Sequence, residues 1–130
     1  MYERITRGIK IIVSPQYLDR QSRPDEGHFV WAYTITVENH GRETVTLRTR
    51  YWKITDATGK VQEVRGAGVV GEEPTLKPGG SFQYTSGCPL KTSSGFMSGA
   101  YYMQTETGEM FNVDIPAFSL DSPHEKQSIN

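Results

Sequence analysis

Apolar and polar residues alternate along most of this chain, which is the period of a half-buried β-strand. The pattern is clearest over residues 29–37, where the odd positions from Phe29 to Val37 are large and apolar, and Thr34 and Thr36 lie between them. No window keeps the 3.6-residue apolar period of an amphipathic helix for three turns. We therefore predict an all-β chain.

Turn residues divide the rest of the pattern into further short strands. The predicted strands are residues 9–13, 29–37, 44–55, 61–64, 81–85, 96–105 and 110–118. The tight connection at residues 39–41 (Asn-His-Gly) predicts a hairpin between the second and third of them, and the turn at 106–109 predicts one between the last two. Residues 19–27 and 87–95 are predicted to be polar loops.

In the predicted strand at 44–55, the large apolar residues switch from odd to even positions. Val45 and Leu47 define one register, whereas Trp52 and Ile54 fall in the other. A β-bulge near Arg50 would reconcile them, because one extra residue moves the following side chains to the opposite face. Alternatively, the strand leaves the sheet edge at that point.

Seven or eight short strands separated by turns predict a two-sheet antiparallel β-sandwich of the fibronectin type III or immunoglobulin kind. The 130 residues fit one domain. Its core is expected over about residues 5–120, and residues 121–130 are expected to fray because they are polar and contain Pro123. The aromatic residues predicted to fill the space between the sheets are Phe29, Trp31, Tyr33, Phe82, Tyr84, Phe96, Tyr102 and Phe111.

Composition and charge narrow the function classes. The formal net charge is -1, whereas a protein that binds nucleic acid through its phosphates usually carries a basic excess. No apolar run approaches the roughly 18 residues of a membrane span, and no signal peptide is apparent. The single cysteine, Cys88, suits a reducing compartment, so we predict a cytoplasmic protein with no nucleic-acid or membrane partner.

A run of glycines at residues 66–71, the glycine loop, matches the G-x-G-x-x-G pattern of dinucleotide-binding turns. That turn requires a helix after the glycines, and residues 72–80 contain Pro74, Pro78 and two further glycines. Two interpretations remain. The glycines shape a connection between sheets, or their amides form an anion-binding concavity next to Arg65. Val69 and Val70, if exposed, could instead contact a partner.

Residues with catalytic or metal-binding chemistry are scattered. His28, Asp25 and Glu26 could hold a divalent ion loosely, although a polar loop explains them as well. Cys88 has no basic neighbour in sequence and is interpreted as a structural thiol. We predict no catalytic residues and no cofactor.

Several ordered motifs resemble one known family. They are residues 17–18, 21–22, 32–35, 38–41 (Glu-Asn-His-Gly), 52–56 (Trp-Lys-Ile-Thr-Asp), 66–74, 86–90 (Ser-Gly-Cys-Pro-Leu), 95–103 and 115–120. Over roughly residues 5–123 the chain resembles the ApaG family. Glu73 departs from the family pattern, which has Gln there; the added carboxylate makes anion binding at the glycine loop less secure.

The resemblance implies a fibronectin type III-like sandwich and a bacterial stand-alone protein with no defined reaction. Related eukaryotic domains, within F-box proteins and a DNA polymerase delta-interacting protein, look like protein-interaction modules. The resemblance also implies a link to cobalt resistance and magnesium efflux, and a gene that often accompanies that of a diadenosine tetraphosphatase.

We therefore expect a non-enzymatic module that binds a protein partner, either as a monomer or as a homodimer. The expected surface combines the loop residues Arg65, Gly66, Ala67, Gly68, Val69, Val70, Gly71, Glu72 and Pro74 with Arg48, Arg50 and Trp52. Trp52 lies between basic residues, as interface anchors often do. The alternative is phosphate or nucleotide-polyphosphate binding through the glycine loop. Edge strands could pair two copies unless charges such as Lys53 and Glu63 prevent it.

Overall fold

A computed structural model describes residues 1–124 of the chain. This part contains nine β-strands and, as its helical element, a short 3-10 turn at Pro24–Glu26. The strands are β1 (Tyr2–Thr6), β2 (Ile9–Tyr17), β3 (Phe29–Asn39), β4 (Val45–Asp56), β5 (Val61–Ala67), β6 (Thr75–Leu76), β7 (Ser81–Leu90), β8 (Gly95–Thr105) and β9 (Met110–Leu120). Within residues 1–124, no helix is long and apolar enough to span a membrane.

The strands form two antiparallel sheets that pack face to face. The first has the order β1-β2-β3-β7 and the second the order β5-β4-β8-β9, with β6 paired to the start of β4. On one side the sandwich is closed by β9, which packs against β1 and β2 of the other sheet. The all-β sandwich and the final hairpin, β8 with β9, are confirmed.

The predicted hairpin between β3 and β4 is wrong, because these strands lie in different sheets. The buried side chain of Asn39 stabilises the crossing. Its Nδ2 donates to the carbonyl oxygens of Glu43 at 2.7 Å and Leu76 at 2.9 Å, and its Oδ1 accepts from Gly41 N at 2.9 Å. These bonds tie the connection to β6, which pairs with the start of β4 in the second sheet.

The register of β4 does change through a β-bulge, but at Arg48 and not near Arg50. Leu47 pairs with Met103 and Thr49 pairs with Tyr102, so Arg48 is the extra residue. After the bulge, Arg50 and Trp52 face the interior, whereas Thr49 and Tyr51 face solvent. Trp52 is 3% exposed.

The register predicted for β8 is wrong. Phe96 and Tyr102 are 49% and 43% exposed, and the interior instead receives Met97, Tyr101 and Met103. Both registers of β8 carry large apolar side chains, so the alternation by itself does not choose between them. In addition, β7 continues to Leu90, whereas a loop was predicted from residue 87.

The segment after β9 also departs from the expected frayed tail. The indole nitrogen of Trp31 donates to the carbonyl oxygen of Asp121 at 2.7 Å, and Ser122 Oγ donates to the carbonyl oxygen of Ser93 at 2.6 Å. The ring of His124 lies edge-on to Tyr17, 5.9 Å between centroids. Residues 121–124 are therefore held against the sandwich, while residues 125–130 lie outside the described part.

Candidate functional site

The glycine loop forms a tight hairpin turn at the end of β5. Gly68 N donates to Arg48 O at 2.8 Å, and Val69 and Glu72 exchange two backbone hydrogen bonds of 2.8 and 2.9 Å. The two residues at the tip, Val70 and Gly71, have positive φ angles of 43° and 81°. Positive φ at both central positions is the geometry of a type I′ turn, which favours Asn-Gly. The glycine loop is thus a closed turn with no helix behind it.

At two of the motif's glycines, the surrounding atoms leave no room for a side chain. A Cβ at Gly66 would lie 2.8 Å from the guanidinium carbon of Arg50. Gly68 has a φ of +60°, and a Cβ there would clash with the carbonyl oxygen of Glu72. Packing and backbone geometry therefore account for the spacing that resembles a dinucleotide motif.

Arg50 holds the glycine loop from the inside of the sandwich. Its Nη1 donates to the carbonyl oxygens of Ala67 and Gly68, both at 2.9 Å. Arg50 faces the interior because it pairs with Tyr101, which is fully buried, on the face that also carries Trp52. Arg50 is half-buried and holds the loop through these two bonds, and its contact with a partner stays a prediction.

Trp52, predicted as an exposed anchor, is part of the core. Its ring lies 5.3 Å from that of Tyr33 and 6.0 Å from that of Phe118, in edge-on contacts. The bulge at Arg48 explains the error, because it moves Trp52 from the solvent face to the interior.

A cluster of buried tyrosines lies beside Arg50. The hydroxyls of Tyr84 and Tyr101 are hydrogen-bonded to each other. Burial raises the pKa of both hydroxyls and that of Tyr33, while the positive charge of Arg50 lowers the same pKa values by less. These phenols therefore stay protonated and serve as internal hydrogen-bonding groups.

Three amides at or next to the glycine loop are engaged within the chain. Gly68, Val69 and Glu72 donate to backbone oxygens, as described above. Arg65 does not turn toward the loop: its guanidinium lies 4.6 Å from the centre of the Tyr51 ring and 3.8 Å from the carboxylate of Glu63, on the outer face. The amides of Gly68 and Val69 and the guanidinium of Arg65 are therefore not directed at a shared anion position.

The exposed part of the glycine loop is its tip and the side next to the bulge. Val70 is 57% exposed, whereas Val69 is fully buried, so the expectation that both are exposed is wrong for Val69. Next to the tip, Arg48 Nη1 lies 3.0 Å from Glu73 Oε1, and its Nε donates to Gln104 Oε1 at 2.9 Å. Arg48 and Glu73 thus form an exposed ion pair beside the glycine loop, and Val70 is exposed at the tip of that loop.

The weak metal candidate receives no support from the geometry. Asp25 and Glu26 lie in the 3-10 turn, and within residues 1–124 no three His, Cys, Asp or Glu side chains come together in a way that could hold a metal ion. Cys88 is buried on the inner face of β7, and burial raises the pKa of its thiol to about 11.

One feature has no signal in the sequence. A cleft of about 410 Å³ opens between the end of β7 and the turn from β4 to β5. It is lined by His28, Ile54, Asp56, Lys60, Gln62, Pro89, Leu90 and Lys91. Its lysines are far apart in the chain and meet only because the two sheets face each other, so no spacing pattern could reveal them.

Comparisons with known proteins agree with this fold. A family model for the ApaG domain matches residues 19–105. The chain is 62% identical to Protein ApaG of Parvibaculum lavamentivorans and 61% identical to that of Rhodospirillum centenum, each over 100% of both chains. It also superposes on the crystal structure of an ApaA protein from Bordetella pertussis with a TM-score of 0.87 and 45% identity, over 89% of this chain and 94% of that one. From its sequence and its architecture alike, the chain belongs to the ApaG family.

Proposed function

We propose that this chain is a non-enzymatic protein-binding module, and that its partner docks on the tip of the glycine loop and on Arg48 beside it. The observation that carries the proposal is the backbone conformation and exposure of Val70. This β-branched residue has a left-handed backbone conformation and an exposed side chain.

The fold gains little from valine at that position. A left-handed conformation costs an L-residue with a Cβ roughly 1–2 kcal/mol, and β-branched side chains are the least suited to it. Asn or Gly would form the same turn with less strain. Contact with an apolar surface of a partner explains why a strained and exposed valine stands there.

The charges next to the tip suit the rim of such an interface. Arg48 and Glu73 are both partly exposed and form an ion pair with each other. Arginine is enriched at protein interfaces, and polar groups commonly surround an apolar contact. The proposed contact surface is therefore Val70 with Arg48 and Glu73 around it.

Replacing Val70 tests the proposal. We expect Val70→Asn to raise the melting temperature, because it relieves the strain, and to reduce the amount of partner recovered from native lysate by the tagged chain. The matched control is Val61→Asn, which removes another exposed valine at the far end of β5. Equal recovery with Val70→Asn and the unmodified chain would contradict the proposal.

Phosphate or nucleotide-polyphosphate binding at the glycine loop is the competing function. It is the weaker candidate because the amides of Gly68 and Val69 already donate to backbone oxygens. An NMR titration with inorganic phosphate and ATP separates the two. Saturable shifts of the amide resonances of residues 66–71 would favour anion binding. The absence of such shifts would favour protein binding.

We also propose that the module acts in the cytoplasm, and its single free, buried cysteine supports this. The family resemblance implies a link to divalent-cation homeostasis. We propose that the partner, and not this chain, binds the metal ion. Metal content measured on the isolated chain and on the recovered complex tests this assignment: metal with the chain alone would overturn it.

A further inference from the structure

The outer edge of β7 presents unpaired backbone groups. Among residues 1–124, β7 pairs only with β3. Asn39 N donates to Gly80 O, which marks that pair as hydrogen-bonded. Because such pairs alternate in an antiparallel ladder, Ser81, Gln83, Thr85 and Gly87 direct their N–H and C=O groups away from β3. These four residues form a free edge.

This free edge lacks the usual protection against strand addition. Charged residues and prolines on an edge strand discourage pairing with another chain. The other long edge strands carry them: β1 has Glu3 and Arg4, β5 has Glu63 and Arg65, and β9 has Asp114 and Pro116. In contrast, β7 has no charged residue; its proline, Pro89, takes the edge-facing position after Gly87, so the free edge ends there.

The 410 Å³ cleft lies where the free edge ends. Pro89 and Leu90 of β7 and Ile54 of β4 supply apolar walls. Lys60 and Lys91 line the same cleft, and neither forms an ion pair with any residue of the described part.

The negative group in the cleft is already engaged. Asp56 Oδ1 accepts from the amides of Thr58 and Lys60 and from the Thr58 hydroxyl, at 2.6 to 3.1 Å. With two lysines against one carboxylate, the cleft carries an excess of positive charge beside its apolar walls. It therefore suits an apolar group that carries a carboxylate next to it.

We propose that β7 is a strand-addition site for an extended segment of a partner protein that carries an apolar residue next to an acidic one. The segment pairs with the free edge through its backbone, its apolar side chain enters the cleft, and its carboxylate contacts Lys60 and Lys91. When a peptide adds to an edge strand, backbone hydrogen bonds supply affinity and pockets for its side chains supply specificity. This site is separate from the glycine loop, so either proposal can fail alone.

Synthetic peptides test the site directly. The probe is a fluorescent peptide of alternating threonine and valine with leucine and two glutamates at one end, made with the acidic end first or last because either strand direction can pair. We expect one of the two to bind, and the same peptide with lysines in place of the glutamates to bind at least about fivefold more weakly. Failure of both acidic peptides to bind would overturn the proposal.

Matched variants locate the contact. Thr85→Pro removes one edge-facing N–H together with the side-chain hydroxyl. Thr85→Val removes the hydroxyl but keeps the N–H. We expect about fivefold weaker peptide binding for the proline variant only, as for the loss of one hydrogen bond of about 1 kcal/mol. Circular dichroism of both variants checks that they fold, and equal affinities in folded variants would contradict edge pairing.

A second pair of variants tests the lysines without changing β7. Lys60→Gln with Lys91→Gln should weaken binding of the acidic peptide, whereas Lys53→Gln with Lys77→Gln should not. Analytical ultracentrifugation distinguishes the other occupant of a free edge, a second copy of the chain. A dimer that Thr85→Pro dissociates and that the peptide cannot displace would overturn the proposal in favour of self-association.

Discussion

The guanidinium group of Arg50 occupies the space that a side chain at Gly66 would need. Three guanidinium atoms, Cζ, Nη1 and Nη2, all lie 2.8 Å from the position of a Cβ on Gly66, so the group faces the backbone there. The same group donates two hydrogen bonds to the backbone of the glycine loop. Gly66 and Arg50 therefore depend on each other.

A double-mutant cycle should reveal this dependence. We expect Gly66→Ala to destabilise the fold by about 1–3 kcal/mol, because the added methyl displaces Arg50 from its two carbonyl acceptors. In a chain that already carries Arg50→Met, the same substitution should cost much less. Urea unfolding of the four proteins measures the coupling, and additive effects would show that the two residues act independently.

Gly68 and Gly71 should differ in their tolerance of alanine. Gly71 has a positive φ but nothing within 4 Å of an added Cβ, so Gly71→Ala should cost only about 1 kcal/mol. Gly68→Ala adds a clash with the backbone of Glu72 to a similar backbone strain, and should cost at least twice as much. Thermal unfolding of the two variants compares them. Equal losses would show that the loop relaxes around Gly68.

Asp56 should make the stability depend on pH in the acidic range. Hydrogen bonds from the Thr58 hydroxyl, followed by the amides of Thr58 and Lys60, hold the pKa of its carboxyl below the ordinary value of 3.8. A pKa that is lowered in the folded state adds stability above the unfolded pKa, and this stability is lost as the pH falls through the folded pKa.

The unmodified chain should therefore be more stable than the Asp56→Asn variant at pH 7. The difference in their free energies of unfolding should shrink as the pH falls below about 4. Urea unfolding at several pH values measures it, with Asp25→Asn as the control. A difference that stays constant down to the lowest pH would mean that the charge of Asp56 has no part in it.

Cys88 should react only after the fold opens. Its side chain is buried, and its thiol has a pKa of about 11, so little thiolate exists at pH 8. We expect slow labelling by Ellman's reagent in buffer and complete labelling in denaturant. Rapid labelling in buffer would show that β7 opens on its own.

Two sequence-based errors have one physical cause, which is that period-two alternation is a local signal. In β8 both registers carry large side chains. The register that faces the interior is the one in which Tyr101 contacts Tyr84 of the facing sheet. In β4 one extra residue at Arg48 reverses the faces, and so places Trp52 in the core. A pattern along one strand contains no information about its partner.

The hairpin error has a similar cause. The chain bends at residues 41–43, just after Asn39 and His40, and not in a tight turn at residues 39–41. Whether the bend joins neighbours in one sheet or crosses to the other depends on what the side chain of Asn39 binds, and Leu76, one of its acceptors, is distant in the chain. That bond exists only in the folded state.

The sequence by itself determined the all-β class, the final hairpin, the absence of a dinucleotide-binding helix after the glycine loop, and the family. Each of these rests on residues that are close in the chain: alternation, turn residues and prolines. Only the tertiary structure decided that Arg50 and Trp52 face inward, that Val70 alone of the two valines is exposed, and that Lys60 and Lys91 share a cleft. These depend on which strands pair and where a bulge falls, because cross-strand contacts join residues whose spacing carries no local signal.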